Sequence, residues 1–328
     1  MKNYDFSIGT LFPRVVTTVL FFWTGYGTLS EVDIIPKRPL VIAITSFIVL
    51  CLYTYYRIVI VGPGYPTDFP DLMIHNMQDV EEGLELPPEY LMRRSVTAKR
   101  DGRFRLCQTC NCWKPDRCHH CSACGVCVLK MDHHCPWFAG CVGFKNQKYF
   151  IQFLVYTSLY AVFVLVVTFL QFYHWFSSEG YRHGSISFTL LSVFLLAIGV
   201  SIAMLFFTGF TCYQVTKNQT TIELYGTRRY RRDFELLNGY PPVGNINVFD
   251  LGSRLLNWEE VMGGDKPLLE WLFPVETLRS RRCRRTLDEK GLYFNVSKGS
   301  LVDDIDLQNR LLRRVTPRSS LDVSSGER

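Results

Sequence analysis

Apolar and polar stretches alternate along this chain on a scale far coarser than a helical turn. Four apolar blocks cover residues 11–31, 39–61, 149–176 and 186–215. A helix rises 1.5 Å per residue, so a bilayer core of about 30 Å asks for about 20 apolar residues, and each block supplies them. Buried helices of soluble proteins seldom stay apolar on every side for that length. The pattern predicts an α-helical integral membrane protein with four transmembrane helices. The first block has Arg14 near its start, as a signal peptide would, but its apolar run is too long and a second span follows directly. It is read as a retained span.

The polar stretches set the orientation. Residues 30–38 and 177–185 are short and carry few Lys or Arg, whereas 62–148 and the chain from 216 onward are rich in both. The rich segments face the cytosol, and an even number of spans puts both termini there, including residues 1–10. The formal net charge of +6 then reads as positive-inside bias, and no nucleic-acid partner is called for. Residues 216–296 form a cytosolic C-terminal region. Within it, 247–263 has a helical, partly apolar pattern expected to dock on the catalytic domain, and 228–232 and 279–285 are basic patches near the membrane face. The polar residues 297–328 read as a disordered tail.

Cysteine usage changes the picture. Nine of the twelve cysteines lie between Cys107 and Cys141, on the reducing side, where disulfides are disfavoured and a dense cluster points to metal or catalysis. Cys107-x2-Cys110, Cys121-x2-Cys124 and Cys124-x2-Cys127 each have the spacing that brings two thiolates to one tetrahedral zinc. Residues 103–148 hold too few apolar side chains for an ordinary core, so metal has to hold this domain.

Counting sharpens the point. The segment contains thirteen Cys and His side chains, and two closed tetrahedral sites use eight. Some are free for other work, but spacing alone does not say which. His133, His134 and Cys135 are neighbours and cannot all reach one ion. A membrane-anchored zinc adaptor needs no spare Cys and His beside an Asp; an enzyme does.

Cys107-x2-Cys110, Lys114-Pro115, Arg117, His120-Cys121-x2-Cys124-x2-Cys127, Asp132-His133-His134-Cys135-Pro136-Trp137, Cys141-x-Gly143 and Asn146 together resemble the signature of the DHHC family of protein S-acyltransferases. Gly62-Pro63-Gly64 resembles that family's Asp-Pro-Gly motif, and Thr220-Thr221-Ile222-Glu223 its Thr-Thr-x-Glu motif. FPDL at 69–72, ELPPEY at 85–90 and KGLYFNV at 290–296 look most like the fungal vacuolar palmitoyltransferase branch. Two positions depart from the pattern: Ala139-Gly140 stands where the family usually has Asn before its last zinc cysteine, and Gly62 replaces the usual Asp.

The resemblance implies a cytosolic two-zinc cysteine-rich domain between spans 2 and 3. One zinc would take Cys107, Cys110, His120 and Cys127; the other Cys121, Cys124, His134 and Cys141. His133 and Cys135 then stay off the metal. The implied activity is protein S-palmitoylation. Cys135 attacks the thioester of acyl-CoA (palmitoyl-CoA), and the cysteine of a membrane-associated protein then takes the acyl group. His133 draws the proton, Asp132 orients His133, and Thr221 hydrogen-bonds Asp132. Trp137 would sit at the membrane interface beside the substrate. Thr24 and Tyr160 match positions where the family closes the far end of its acyl cavity. Closeness to the vacuolar branch implies a vacuolar membrane, with Golgi or another endomembrane as the alternative, and an armadillo-repeat vacuolar protein as substrate.

Overall fold

A computed structural model describes residues 8–96, 104–178, 186–242, 246–264, 267–275 and 290–296. Among these residues the order is α1 (Ile8–Glu31), α2 (Lys37–Val61), α3 (Met77–Glu81), α4 (Glu89–Arg94), β1 (Leu106–Cys107), β2 (Cys112–Trp113), β3 (His119–Cys121), β4 (Val126–Val128), β5 (His133–Cys135), β6 (Gly140–Val142), α5 (Gln147–Ser177), α6 (Phe188–Thr216), α7 (Thr221–Asn238), α8 (Arg254–Met262) and α9 (Pro267–Leu272). The chain divides into two compact units. One comprises Met1–Pro63, His133–Val215 and Val261–Leu278; the other comprises Gly64–Asp132, Thr216–Glu260 and Arg279–Arg328.

The first unit is a helical membrane body. Among the described residues three helices, α2, α5 and α6, are long and apolar enough to cross a bilayer. α1, at 24 residues, is not among them. α2 packs on α5 because each presents an apolar stripe at helical spacing: Leu40, Ile44, Cys51, Tyr55 and Ile58 on one, Phe150, Phe153, Tyr160, Val164 and Val167 on the other. In lipid, close packing drives such pairs. Small residues let α1 join: a Cβ on Gly25 would lie 2.7 Å from Ile48 Cδ1, and one on Gly27 2.6 Å from Val193 Cγ2. Hydroxyls within the helices bond one turn back, Thr17 to Pro13 O, Thr54 to Leu50 O and Thr168 to Val164 O, which gives these donors a partner where water is absent. Gly62 ends α2 at φ 66, ψ 173, a region open essentially to glycine alone, which accounts for glycine at this departure from the family pattern. At the start of α5, Lys148 Nζ and Gln152 Nε2 donate to Val275 O and Phe273 O, both at 2.9 Å, and Tyr156 donates to Leu272 O. These bonds tie the start of α5 to the last residue of α9 and to the segment that follows it.

The second unit is built from two-stranded ladders only two or three residues long, β1 with β2 and β3 with β4. Its buried side chains include Cys107, Cys112, Cys118 and Cys127 beside Leu129 and Val128. α7 opens with a full capping box between Thr220 and Glu223 and closes on Gly239 in the left-handed conformation. Arg228, Arg229, Arg231 and Arg232 lie exposed along it. The helix expected over 247–263 covers only Arg254–Met262. Asn247 and Asp250 accept from the N–H groups of Phe249 and Gly252, and such Asx turns displace helix. The basic patch at 279–285 and the tail at 297–328 lie outside the described residues.

Candidate functional site

Two β-hairpins repeat one device. The β3–β4 ladder sets His120 directly opposite Cys127, and the β5–β6 ladder sets His134 directly opposite Cys141. A cross-strand pair brings two side chains to the same face about 5 Å apart at Cβ, close enough to share one ion. Cys107 and Cys110 complete the first group, all ligand atoms lying within 4.8 Å of one another. His120 Nδ1 is 3.6, 3.3 and 3.8 Å from the sulfurs of Cys107, Cys110 and Cys127. Tetrahedral zinc, with Zn–S near 2.3 Å and Zn–N near 2.0 Å, separates N from S by about 3.5 Å. The residues fit the metal. Cys121, Cys124, His134 and Cys141 form a group of the same kind, with His134 Nδ1 3.7 Å from Cys141 Sγ and the Cys124 N–H directed at Cys121 Sγ at 3.3 Å. Two Cys/His clusters thus fit two zinc ions.

Strand geometry separates what adjacency in sequence could not. Successive residues of β5 point to opposite faces, so His134 turns toward Cys141 while His133 and Cys135 turn the other way. The His133 ring packs edge-on against Phe150 at 5.3 Å. Cys135 is half-buried and lines a cavity of about 390 Å³, the size of a ligand site. The cavity is lined by Phe153, Leu154, Ala161 and Met204, and by Thr24 and Tyr160. Thr24 Oγ1 and Tyr160 Oη share a hydrogen bond of 2.9 Å, and the Tyr160 ring leans on Phe21 and Phe47. Almost no polar surface interrupts the walls, so the cavity suits an alkyl chain.

The turn after Cys135 is pinned from α2. Tyr55 donates to Trp137 O at 2.8 Å, and Phe138 is buried against the rings of Tyr55, Phe150 and Phe153. Trp137 also lines the cavity and remains 47 % exposed. Ala139 takes φ 49 to close this turn. Asn146 is buried; it accepts from Gly143 N and donates to Cys141 O and Ile58 O, tying the β6 end of the hairpin to α2.

In the second unit, Asp132 is buried, and both its carboxylate oxygens are held by one residue. Thr221 N donates to Oδ1 at 2.9 Å and Thr221 Oγ1 donates to Oδ2 at 3.1 Å. Thr221 is the first residue of α7, so the carboxylate also meets the positive end of that helix. Lys130, fully buried nearby, is pushed down to about 8 by loss of water and then by the Arg117 charge. The Arg117 network described below, Tyr55 and the α9 anchors escaped sequence reasoning, since each joins residues far apart in the chain. A buried arginine in a motif was the one signal available.

Comparison with known proteins agrees with this geometry. The DHHC palmitoyltransferase family matches residues 101–227. Palmitoyltransferase PFA3 of Saccharomyces cerevisiae is 53% identical over 326 residues, covering 98% of this chain and 96% of that protein. Its Candida glabrata counterpart is 49% identical over 97% of each, and palmitoyltransferase ZDHHC15 of Xenopus laevis is 31% identical over 81% of this chain and 78% of its own. The chain belongs to the DHHC palmitoyltransferase family. It is a membrane-embedded protein-cysteine S-palmitoyltransferase, working with an acyl donor on membrane proteins.

Proposed function

We propose that Cys135 is the acyl-carrying nucleophile and that acyl-CoA is the donor. The observation that carries this is the half-buried thiol of Cys135 on the wall of an apolar cavity. His133 takes the Cys135 proton, and the thiolate attacks the thioester carbonyl. The carbonyl–sulfur bond to CoA breaks, and the CoA thiolate leaves with the proton from His133. A cysteine of the protein substrate then gives its proton to His133 and takes the acyl group, restoring Cys135. Asp132, the residue before His133, orients the imidazole and stabilises its charged form, and Thr221 holds Asp132 in place.

The zinc ions, held by Cys107, Cys110, His120 and Cys127 and by Cys121, Cys124, His134 and Cys141, give the domain its fold and take no part in the chemistry. The alkyl chain lies in the cavity with Trp137 beside it and the Thr24–Tyr160 pair at its far end. α1 is the first of four spans, with both termini cytosolic. The vacuolar membrane is the site of action and an armadillo-repeat vacuolar protein a substrate; both rest on the likeness of 69–72, 85–90 and 290–296 to the vacuolar branch. The test is to incubate the purified protein with palmitoyl-CoA and map the modified residue by mass spectrometry. Hydroxylamine-sensitive palmitate on Cys135 is expected; palmitate on other cysteines alone contradicts the proposal.

A further inference from the structure

We propose that Arg117 is a positioning residue for Asp132, acting from both sides of that carboxylate. The proposal rests on the reading of Asp132 given above. The Arg117 side chain is 1% exposed. Its Nε and Nη2 donate to Glu223 Oε1 at 2.7 Å and Oε2 at 2.8 Å; its Nη1 and Nη2 donate to Asn218 Oδ1 at 2.8 Å and Asn218 O at 2.9 Å. The guanidinium face is covered by Phe249 at 4.4 Å and Phe294 at 5.1 Å. A buried ion pair is costly to desolvate and persists only where its hydrogen bonds are well satisfied. Here the planar fork is spent on two neighbouring segments, which lysine could not do.

Both segments lead to Asp132. Glu223 Oε2 also accepts from Thr220 N at 2.9 Å, and Thr220 Oγ1 accepts from Glu223 N at 3.2 Å. That reciprocal cap fixes the first turn of α7, and the same turn presents Thr221 N and Oγ1 to the carboxylate. From the other side, Arg117 O accepts from Met131 N at 3.0 Å, and Met131 is the residue before Asp132. Arg117 reaches both with its backbone at φ 63, a left-handed conformation uncommon for arginine and held only where surroundings dictate it. Phe294, on the separate segment 290–296, is buried against this guanidinium, so that segment seals the charge network from water.

A carboxylate displaced by about 1 Å costs on the order of 100-fold in rate. The test measures single-turnover acylation of the full chain in lipid nanodiscs by palmitoyl-CoA, for the wild type, Arg117→Lys, Glu223→Gln, Asp132→Asn and the Arg117→Lys/Asp132→Asn double variant. Zinc content serves as the check on folding. Arg117→Lys and Glu223→Gln are expected to lower the maximal rate about tenfold or more. The half-saturating palmitoyl-CoA concentration and the zinc content stay at wild-type values. In the Asp132→Asn background, Arg117→Lys adds no further loss, because its effect passes through the missing carboxylate. Should Arg117→Lys lose zinc, Glu223→Gln is carried through the same cycle. Losses that multiply, or single variants with the wild-type rate, overturn the role of Arg117 and leave that of Asp132 standing. Asp132→Asn at the wild-type rate overturns both.

Discussion

In the unit that carries Cys135, what is buried is mostly aliphatic and aromatic, and polar side chains bond mainly within their own helix or across one helix pair. In the unit that carries Asp132, thiols, an arginine, a lysine and two aspartates are buried alongside leucines, valines and aromatic rings. The first draws on packing in lipid, where each contact is a small increment. The second has short ladders, and metal and buried charge add to its apolar contacts; each of these fails whole when one partner is removed. Substitutions in the cavity should therefore tune the enzyme, and substitutions among the ligands should destroy it.

The largest effect expected follows from removing a ligand. Structural zinc contributes on the order of 10 kcal/mol to folding, so Cys127→Ala or His134→Ala should lower bound zinc and leave protein that aggregates or is degraded. Metal analysis and size-exclusion chromatography read this directly. Either variant remaining monodisperse with two zinc ions would erase the contrast between the units. A smaller, graded effect is expected in the cavity. Tyr160→Ala opens space beyond the Thr24–Tyr160 pair and should shift preference toward acyl chains longer than sixteen carbons; Thr24→Phe should shift it toward shorter ones. Competition among acyl-CoAs of fourteen, sixteen and eighteen carbons measures it. Unchanged selectivity in both, with activity intact, would put the end of the cavity elsewhere.

The smallest effect concerns Lys130. Its folded value of about 8 lies below the ordinary 10.5, so the unfolded chain holds the extra proton between those pH values. Stability therefore rises with pH across that window, by about 3 kcal/mol at most. Lys130→Met should be at least as stable as the wild type at pH 7 and should lack the rise. Thermal unfolding at pH 7 and 9.5 compares the slopes, and equal slopes would mean that Lys130 is not the buried cation described.

Sequence and structure differ in what each makes visible. Each of the four apolar blocks falls largely in a helix because unbroken apolar length admits few other structures. Cys107-x2-Cys110 and Cys121-x2-Cys124 each fall in one cluster that fits zinc, whereas Cys124 and Cys127 have the same spacing but fall in different clusters. Spacing does not say which way His133, His134 and Cys135 point; the register of β5 with β6, with its alternating faces, sets His134 opposite Cys141 and turns its two neighbours away. The turn at 247–253 was masked by its leucine and valine, which carry a helical pattern that Asn247 and Asp250 override. Arg117 lies 101 residues from Asn218 and 106 from Glu223, and no local pattern announces a pairing of that range.

The central claim is that Cys135 carries the acyl group and holds no metal. The most direct measurement is made on Cys135→Ser, reading zinc per chain and palmitoyl label in one preparation. Two zinc ions and no hydroxylamine-sensitive label are the predicted result. Loss of one zinc, or labelling at the wild-type level, would contradict it.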